Sequence, residues 1–220
     1  MKALSRPNGL ILLGGGGHGR VLLAALVAEG RHKEVIGIID PMAALMAKKI
    51  ASVPVLGSDE ALIFQYSSSE VVLINGLGST ASTQRRRQLY ESFCWDGYGF
   101  TGIRHPSALL AGEVEYGDGC QFMAGATLQT GSKLAENVII NTGAVVDHDC
   151  RIGAHVHIAP GAVVSGGVEV GMAAHIGCGA TIIQGVKIGK EAVVGAGAVV
   201  IRDVPDGVTV VGCPAALIAE

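Results

Sequence analysis

The sequence predicts a two-part chain: a small Rossmann-like α/β domain around a parallel sheet, then a long parallel β-helix of hexapeptide repeats. Three observations carry this. Sixteen hydrophobic side chains recur at strict six-residue spacing from Leu110 and Tyr116 through Phe122 and Leu128 to Val194 and Val200, with no insertion. Four residues after most of them sits a small or β-branched residue, such as Ala126, Val138, Ala144 and Val156. A fixed short period marks a solenoid, and a six-residue period marks a parallel β-helix. Three hexapeptides close one triangular coil, so residues 18 apart stack. Ahead of the repeat, short apolar runs alternate with helical patterns, which implies a parallel sheet covered on both faces.

Taken in order, Leu10–Leu13 is a buried strand that runs into Gly14-Gly15-Gly16-Gly17-His18-Gly19. Gly19 to Glu29 has helical spacing, with Gly30 as its stop. Val35–Ile39 and Val53–Leu56 are the next strands, and Ser58 and Asp59 open a helix. Val71–Ile74 is a further strand, and Ser82–Phe93 a helix with an exposed basic face at Arg85, Arg86 and Arg87. The six-residue register begins between Thr101 and Ser107, which divides the chain into 1–104 and 105–220. Pro205 and Gly207 end the coil, and the tail Val210 to Glu220 packs afterwards.

A chain of 220 residues can bury a sizeable core. Glycine is abundant at 33 and aromatics scarce at 4%, which suits tight corners and thin aliphatic layers. The net charge of −3 gives no reason to expect nucleic acid or an anionic membrane surface. No apolar run is long enough for a membrane span. The glycines from Gly14 interrupt the first apolar stretch, so no signal peptide is expected. Five cysteines without a CxxC pair suit a reduced, cytoplasmic protein. Cys120 and Cys150 fall in the small core slot of the repeat and read as packing residues.

The glycine loop lies between a strand and a helix. Bare amides at a helix N-terminus, together with the local positive dipole, favour a phosphate. The string satisfies G-x-G-x-x-G, and Asp40 lies at a distance suited to a ribose or base. The chain before the repeat is too short for a second mononucleotide half, so a nucleoside diphosphate fits better than a dinucleotide. Gly17, His18 and Gly19 are the candidate phosphate contacts; a ligand-free tight turn is the bland alternative.

Four of seven histidines crowd into 148–175. Asp147-His148-Asp149 sets an imidazole between two carboxylates, and a carboxylate on one ring nitrogen makes the other a better base. His157 and His175 are 18 apart and should stack, with His155 two residues before His157. Zinc is a rival reading, but this spacing strings the ligands along a face, so no metal is expected.

The loop Gly14 to Gly19, the link His105-Pro106-Ser107, the stretch Asn141 to Cys150 and the ending Val211-Gly212-Cys213-Pro214-Ala215 resemble the bacterial sugar acetyltransferases with a left-handed β-helix. These include nucleotide-4-amino-sugar N-acetyltransferases, with sialic-acid O-acetyltransferases as close relatives. The left hand comes from this resemblance, since crossovers in ordinary parallel sheets favour the right. The resemblance implies a general base at His148 oriented by Asp149. It also implies acetyl-CoA as co-substrate, held by His157, the Gly166 amide, Cys178 and Ala196. A nucleotide-activated amino sugar would be held by Gly17, His18, Gly19 and Asp40. Relatives form homotrimers, with active sites between two β-helices and the small domain.

The implied reaction is direct acetyl transfer to the 4-amino group of a UDP- or GDP-linked amino-deoxysugar, such as UDP-4-amino-4,6-dideoxy-N-acetylglucosamine or GDP-perosamine. The oxyanion would be held by a backbone amide, and positioning of two substrates would supply much of the rate. Two alternatives stay open: an O-acetyltransferase of the sialic-acid type, and a non-catalytic trimeric scaffold that binds nucleotides.

Overall fold

The computed structural model describes residues 9–42, 49–80 and 82–218; residues 219 and 220 of the tail lie outside this range. The chain divides into two units, Met1–Gly78 with Gln88–Thr101, and Ser79–Arg87 with Gly102–Glu220.

The first unit is a sheet of five strands among the described residues: β1 (Gly9–Leu13), β2 (Val35–Ile39), β3 (Lys49–Ile50), β4 (Val53–Gly57) and β5 (Val71–Asn75), in the order β3-β4-β2-β1-β5. All neighbours are parallel except β3 and β4, an antiparallel pair that the sequence pattern did not reveal. Helix α1 (Gly17–Ala28) ends as Gly30 implied. The Gly30 N–H bonds the Val27 carbonyl and the Arg31 N–H the Leu26 carbonyl, the paired bonds of a Schellman stop, with Gly30 at φ 78. Helices α2 (Asp59–Gln65) and α3 (Gln84–Trp95) follow. Ile11, Leu13, Leu73, Tyr90, Phe93 and Phe100 belong to the core of this unit.

The second unit is a left-handed parallel β-helix. Its rungs are two-residue strands separated by turns, and they stack into three sheets. The pairing is the 18-residue register: Ile139 lies on His157, Val145 on Val163, and Arg151 on Glu169. The second residue of most strands points inward, joined by the small residue four positions later. Ile140, Val146, Ile158, Ala144 and Ala162 are all fully buried. Tyr116 breaks the series, being 51% exposed near the start of the coil. Cys120 and Cys150 are buried in the core, as the repeat required, and burial pushes the Cys120 thiol up to about 11.

Two expectations need correction. The coil does not stop at Pro205: Val204 bridges Ile188, Thr209–Val211 pairs with the strand at Val193, and Ala216–Leu217 folds back against it. The N–H that proline lacks is not needed there, because on the face that ends at Val204 no further rung asks for one. Arg86 is not on an exposed basic face. It is 1% exposed and donates from Nη2 to the Asn137 carbonyl at 3.2 Å, while Arg85 stays in solvent. The first turn of α3 belongs to the second unit, where Thr83 Oγ1 donates to the Ala173 carbonyl at 2.7 Å and Arg87 pairs with Glu191 at 3.1 Å. Asn137, Ala173 and Glu191 mark one corner column, all at positive φ. The segment thus donates to two backbone carbonyls and one carboxylate of that column.

Because the core is a stack of thin aliphatic layers, truncation within a rung leaves a void that its neighbours cannot fill. Ile158→Ala is expected to lower unfolding stability by about 2–5 kcal/mol, measured by denaturant titration.

Candidate active site

The turn from Asp147 to Cys150 is a corner of the β-helix. Asp149 makes it with φ 59, a region that aspartate tolerates but glycine usually fills. The stacked positions Gly131 and Gly167 are indeed glycine, at φ 73 and 66. The corner is tied to both neighbouring rungs: the Asp149 N–H bonds the Thr130 carbonyl at 3.0 Å, and the His148 carbonyl accepts the Gly167 N–H at 2.8 Å.

On this corner His148 Nδ1 lies 2.9 Å from Asp149 Oδ2. An ionised carboxylate only accepts, so Nδ1 carries the proton and the neutral ring presents Nε2 as a lone pair. The Asp149 hydrogen bond raises the His148 pKa above its ordinary value; hydration lost on folding works against it, and the charges of Asp147 and Asp149 add to it. The expected sandwich between two carboxylates is only half formed. Asp147 Oδ1 accepts the His148 backbone N–H at 2.8 Å and so shapes the turn.

Two glycines make room for the pair. A Cβ at Gly166 would collide with the His148 ring, and one at Gly131 with the Asp149 carboxylate. Gly166, expected as an acetyl-CoA contact through its amide, thus lies beneath the His148 imidazole. A further residue went unnoticed in the sequence. Ser132 is fully buried in a core column that otherwise reads Val114, Cys150, Val168, Val186 and Val204. Its Oγ donates to the Asp147 carbonyl at 2.7 Å and accepts the Cys150 N–H at 3.1 Å, gripping the corner at both ends. The available signal was a hydroxyl in an aliphatic column.

His157 and His175 stack in register as expected, with rings 5.1 Å apart and nearly perpendicular. Both are buried. Ser79 Oγ lies 2.6 Å from His157 Nδ1 and 3.2 Å from His175 Nδ1, and Asn141 Nδ2 lies 3.0 Å from His157 Nε2. Cys178 and Ala196 are exposed and sit beside Gly179 and Gly197, members of a corner column with Gly143 and Gly161. A Cβ on any of these four glycines would meet nothing within 4 Å, so the column is an open edge. A separate groove of about 710 Å³ runs past Lys133, Arg151, Glu169 and Lys187. It holds none of the candidate residues; Lys133–Glu115 and Lys187–Glu169 ion pairs line that face.

In the first unit, the Gly14 N–H bonds the Ile39 carbonyl at 2.7 Å as the loop leaves β1. A Cβ at Gly19 would strike the Gly14 carbonyl, so that glycine is required by packing. Gly16 and Gly17 face open space. Helix α1 starts at Gly17 without a side-chain cap or an acidic residue in its first turn, which leaves its positive end available to an anion. His18 packs beside Gly78. Asp40 braces the loop: Oδ2 accepts the Gly15 N–H at 2.7 Å and Oδ1 the Met42 N–H at 3.0 Å.

Comparison with known proteins follows both units. The family described as PglD N-terminal domain matches residues 9–93, and that described as bacterial transferase hexapeptide (six repeats) matches 131–166. The acetyltransferase domain of PglB from Neisseria gonorrhoeae FA1090 is 34% identical with a TM-score of 0.88, covering 96% of this chain and 100% of its own. That domain has also been solved in complex with acetyl coenzyme A. PerB from Caulobacter crescentus, in complex with CoA and GDP-perosamine, is 38% identical with a TM-score of 0.87, covering 96% and 97%. WeeI from Acinetobacter baumannii AYE is 30% identical with a TM-score of 0.85, covering 96% and 99%. A search of curated protein sequences finds no match.

The His148–Asp149 contact has a direct readout. NMR titration should place the His148 pKa above 6.5, and Asp149→Asn should bring it down. Because the folded value is raised, the stability from this contact is fully present below the unfolded pKa and is lost as pH rises through the folded one. An unchanged pKa in Asp149→Asn would remove Asp149 from this role.

Proposed function

The chain belongs to the left-handed β-helix sugar acetyltransferases, and we propose that it transfers the acetyl group of acetyl-CoA to the 4-amino group of a nucleotide-linked amino-deoxysugar. The observation that carries this reading is the His148 imidazole, held by Asp149 at 2.9 Å with Nε2 left as a base. The similarity to PerB favours a GDP-linked sugar of the perosamine type over a UDP-linked one.

The amine nitrogen attacks the thioester carbon while His148 Nε2 takes the amine proton. The new C–N bond forms, and the oxyanion is met by the Gly166 backbone amide. The C–S bond then breaks, and the coenzyme A thiolate leaves with the proton returned from His148. No covalent enzyme intermediate is needed, since a deprotonated amine is already a good nucleophile. His157 belongs to the acetyl end of the coenzyme, whose chain follows the open glycine edge past Cys178 and Ala196. Gly17, His18 and Gly19 at the positive end of α1 hold the diphosphate, with Asp40 toward the ribose or base.

Under this reading the working form is a cytoplasmic homotrimer. Its support is the outer ladder Leu109, Thr127, Val145, Val163, Thr181 and Val199, apolar or β-branched throughout, with Leu109 54% and Val163 37% exposed in the single chain. An apolar strip of that kind is normally covered. Among the described residues, no helix is long and apolar enough to cross a membrane.

Thiol release from acetyl-CoA should be fastest with GDP-linked 4-amino sugars in a panel that includes UDP- and dTDP-linked ones and free sialic acid. His148→Ala should lower kcat by about 10²- to 10⁴-fold with little change in the sugar-nucleotide KM. Activity on sialic acid alone would replace this reading with O-acetylation, and near-normal turnover of His148→Ala would displace the base. Sedimentation equilibrium should return about three times the chain mass, and Val163→Lys should lower it.

A further inference from the structure

The outward positions of one β-helix face run Gln121, Ile139, His157, His175 and Val193. Two adjacent rungs on this face carry imidazoles, 4% and 7% exposed. Ser79 meets both. It stands far away in sequence but belongs to the same unit, in the segment Ser79–Arg87 that Thr83 and Arg86 also fasten to this coil.

The hydrogen bonds around His157 have a direction that can be worked out from one end. The Thr142 N–H donates to Asn141 Oδ1 at 2.8 Å, which fixes which end of that amide is oxygen. Asn141 therefore turns its NH₂ to His157 and donates to Nε2 at 3.0 Å. A nitrogen that accepts carries no proton. The His157 proton is then on Nδ1, where it donates to Ser79 Oγ at 2.6 Å. The Ser79 hydroxyl, having accepted from His157, turns its own hydrogen to His175 Nδ1 at 3.2 Å. Burial lowers the His175 pKa and keeps that acceptor neutral.

We propose that Ser79 and His175 are positioning residues that lock His157 in its Nδ1–H tautomer. The locked ring then offers Nε2 as an acceptor toward the Asn141 amide. The ring itself does not donate from that edge; an Nε2–H there would face the amide N–H and push it away. The role of this lock in turnover rests on the reading above that His157 belongs to the acetyl-CoA end.

The test uses the full chain labelled with ¹⁵N-histidine. Two-bond proton–nitrogen correlation near pH 8 reports which nitrogen of His157 is protonated, and the His157→Gln variant assigns its signals. Wild type is expected to show Nδ1–H. Ser79→Ala should move His157 toward Nε2–H, Ser79→Thr should keep Nδ1–H because it keeps the hydroxyl, and His175→Phe should give a mixture while filling the same space. In steady-state assays Ser79→Ala should raise the acetyl-CoA KM or lower kcat by about two- to tenfold, the worth of one hydrogen bond, with the sugar-nucleotide KM unmoved. Wild type protonated on Nε2, or a tautomer unchanged in Ser79→Ala, overturns the proposal whatever the activity. A tautomer that moves with no kinetic effect upholds the lock and removes His157 from the acetyl-CoA end.

Discussion

Each rung of the β-helix must satisfy its backbone on the rung beside it. The Ile139 N–H reaches the Val156 carbonyl and the Asn141 N–H the Ile158 carbonyl, both at 2.9 Å, and the same offset recurs along the coil. Such bonds are individually modest, but a buried amide left without one is costly. The chain can keep this ladder only by turning a corner every six residues, and each corner takes one residue to positive φ. Asp149 is one of these. Its carboxylate reaches the neighbouring imidazole because the corner projects both side chains outward, between Gly131 on one side and Gly166 on the other. The proposed base is therefore a product of the turn geometry, with few added contacts.

The polar groups buried in the β-helix are concentrated where a corner or an added segment needs holding. Ser132 grips the Asp147–Cys150 turn from inside. Asn137 Nδ2 meets His155 Nδ1 at 2.9 Å on the column where Arg86 docks. Ser79 links the two stacked histidines. Elsewhere the core is apolar, aliphatic apart from Phe122 and the thiols of Cys120 and Cys150. A hydroxyl, amide or imidazole in an otherwise apolar column thus marks a place where the coil does more than pack.

Much of this was legible in the chain itself. The six-residue period placed His157 on His175 and put Cys120 and Cys150 inside, because side-chain direction follows from register alone. Proximity in sequence put a carboxylate on each side of His148, and the family resemblance singled out Asp149. What escaped depended on segments far apart in the chain. Arg86 reads as one of three solvated arginines, yet it is buried and donates to the carbonyl of Asn137, 51 residues away. Ser79 looks like part of a polar linker, and its partners lie 78 and 96 residues away. The reason Asp149 and not Asp147 faces the ring is local: the left-handed turn at Asp149 turns its carboxylate to the imidazole, while Asp147 accepts the His148 N–H.

The unbroken period makes the solenoid behave like a reading frame. With rungs about 4.8 Å apart, side-chain address is an integer count of hexapeptides. One residue gained or lost between His148 and Gly166 would rotate everything downstream onto the wrong wall and part the imidazole from the glycine beneath it. Loss of a whole coil would only shorten the rod. Length changes that keep the register of this coil therefore come in whole turns of about 18 residues, three hexapeptides each.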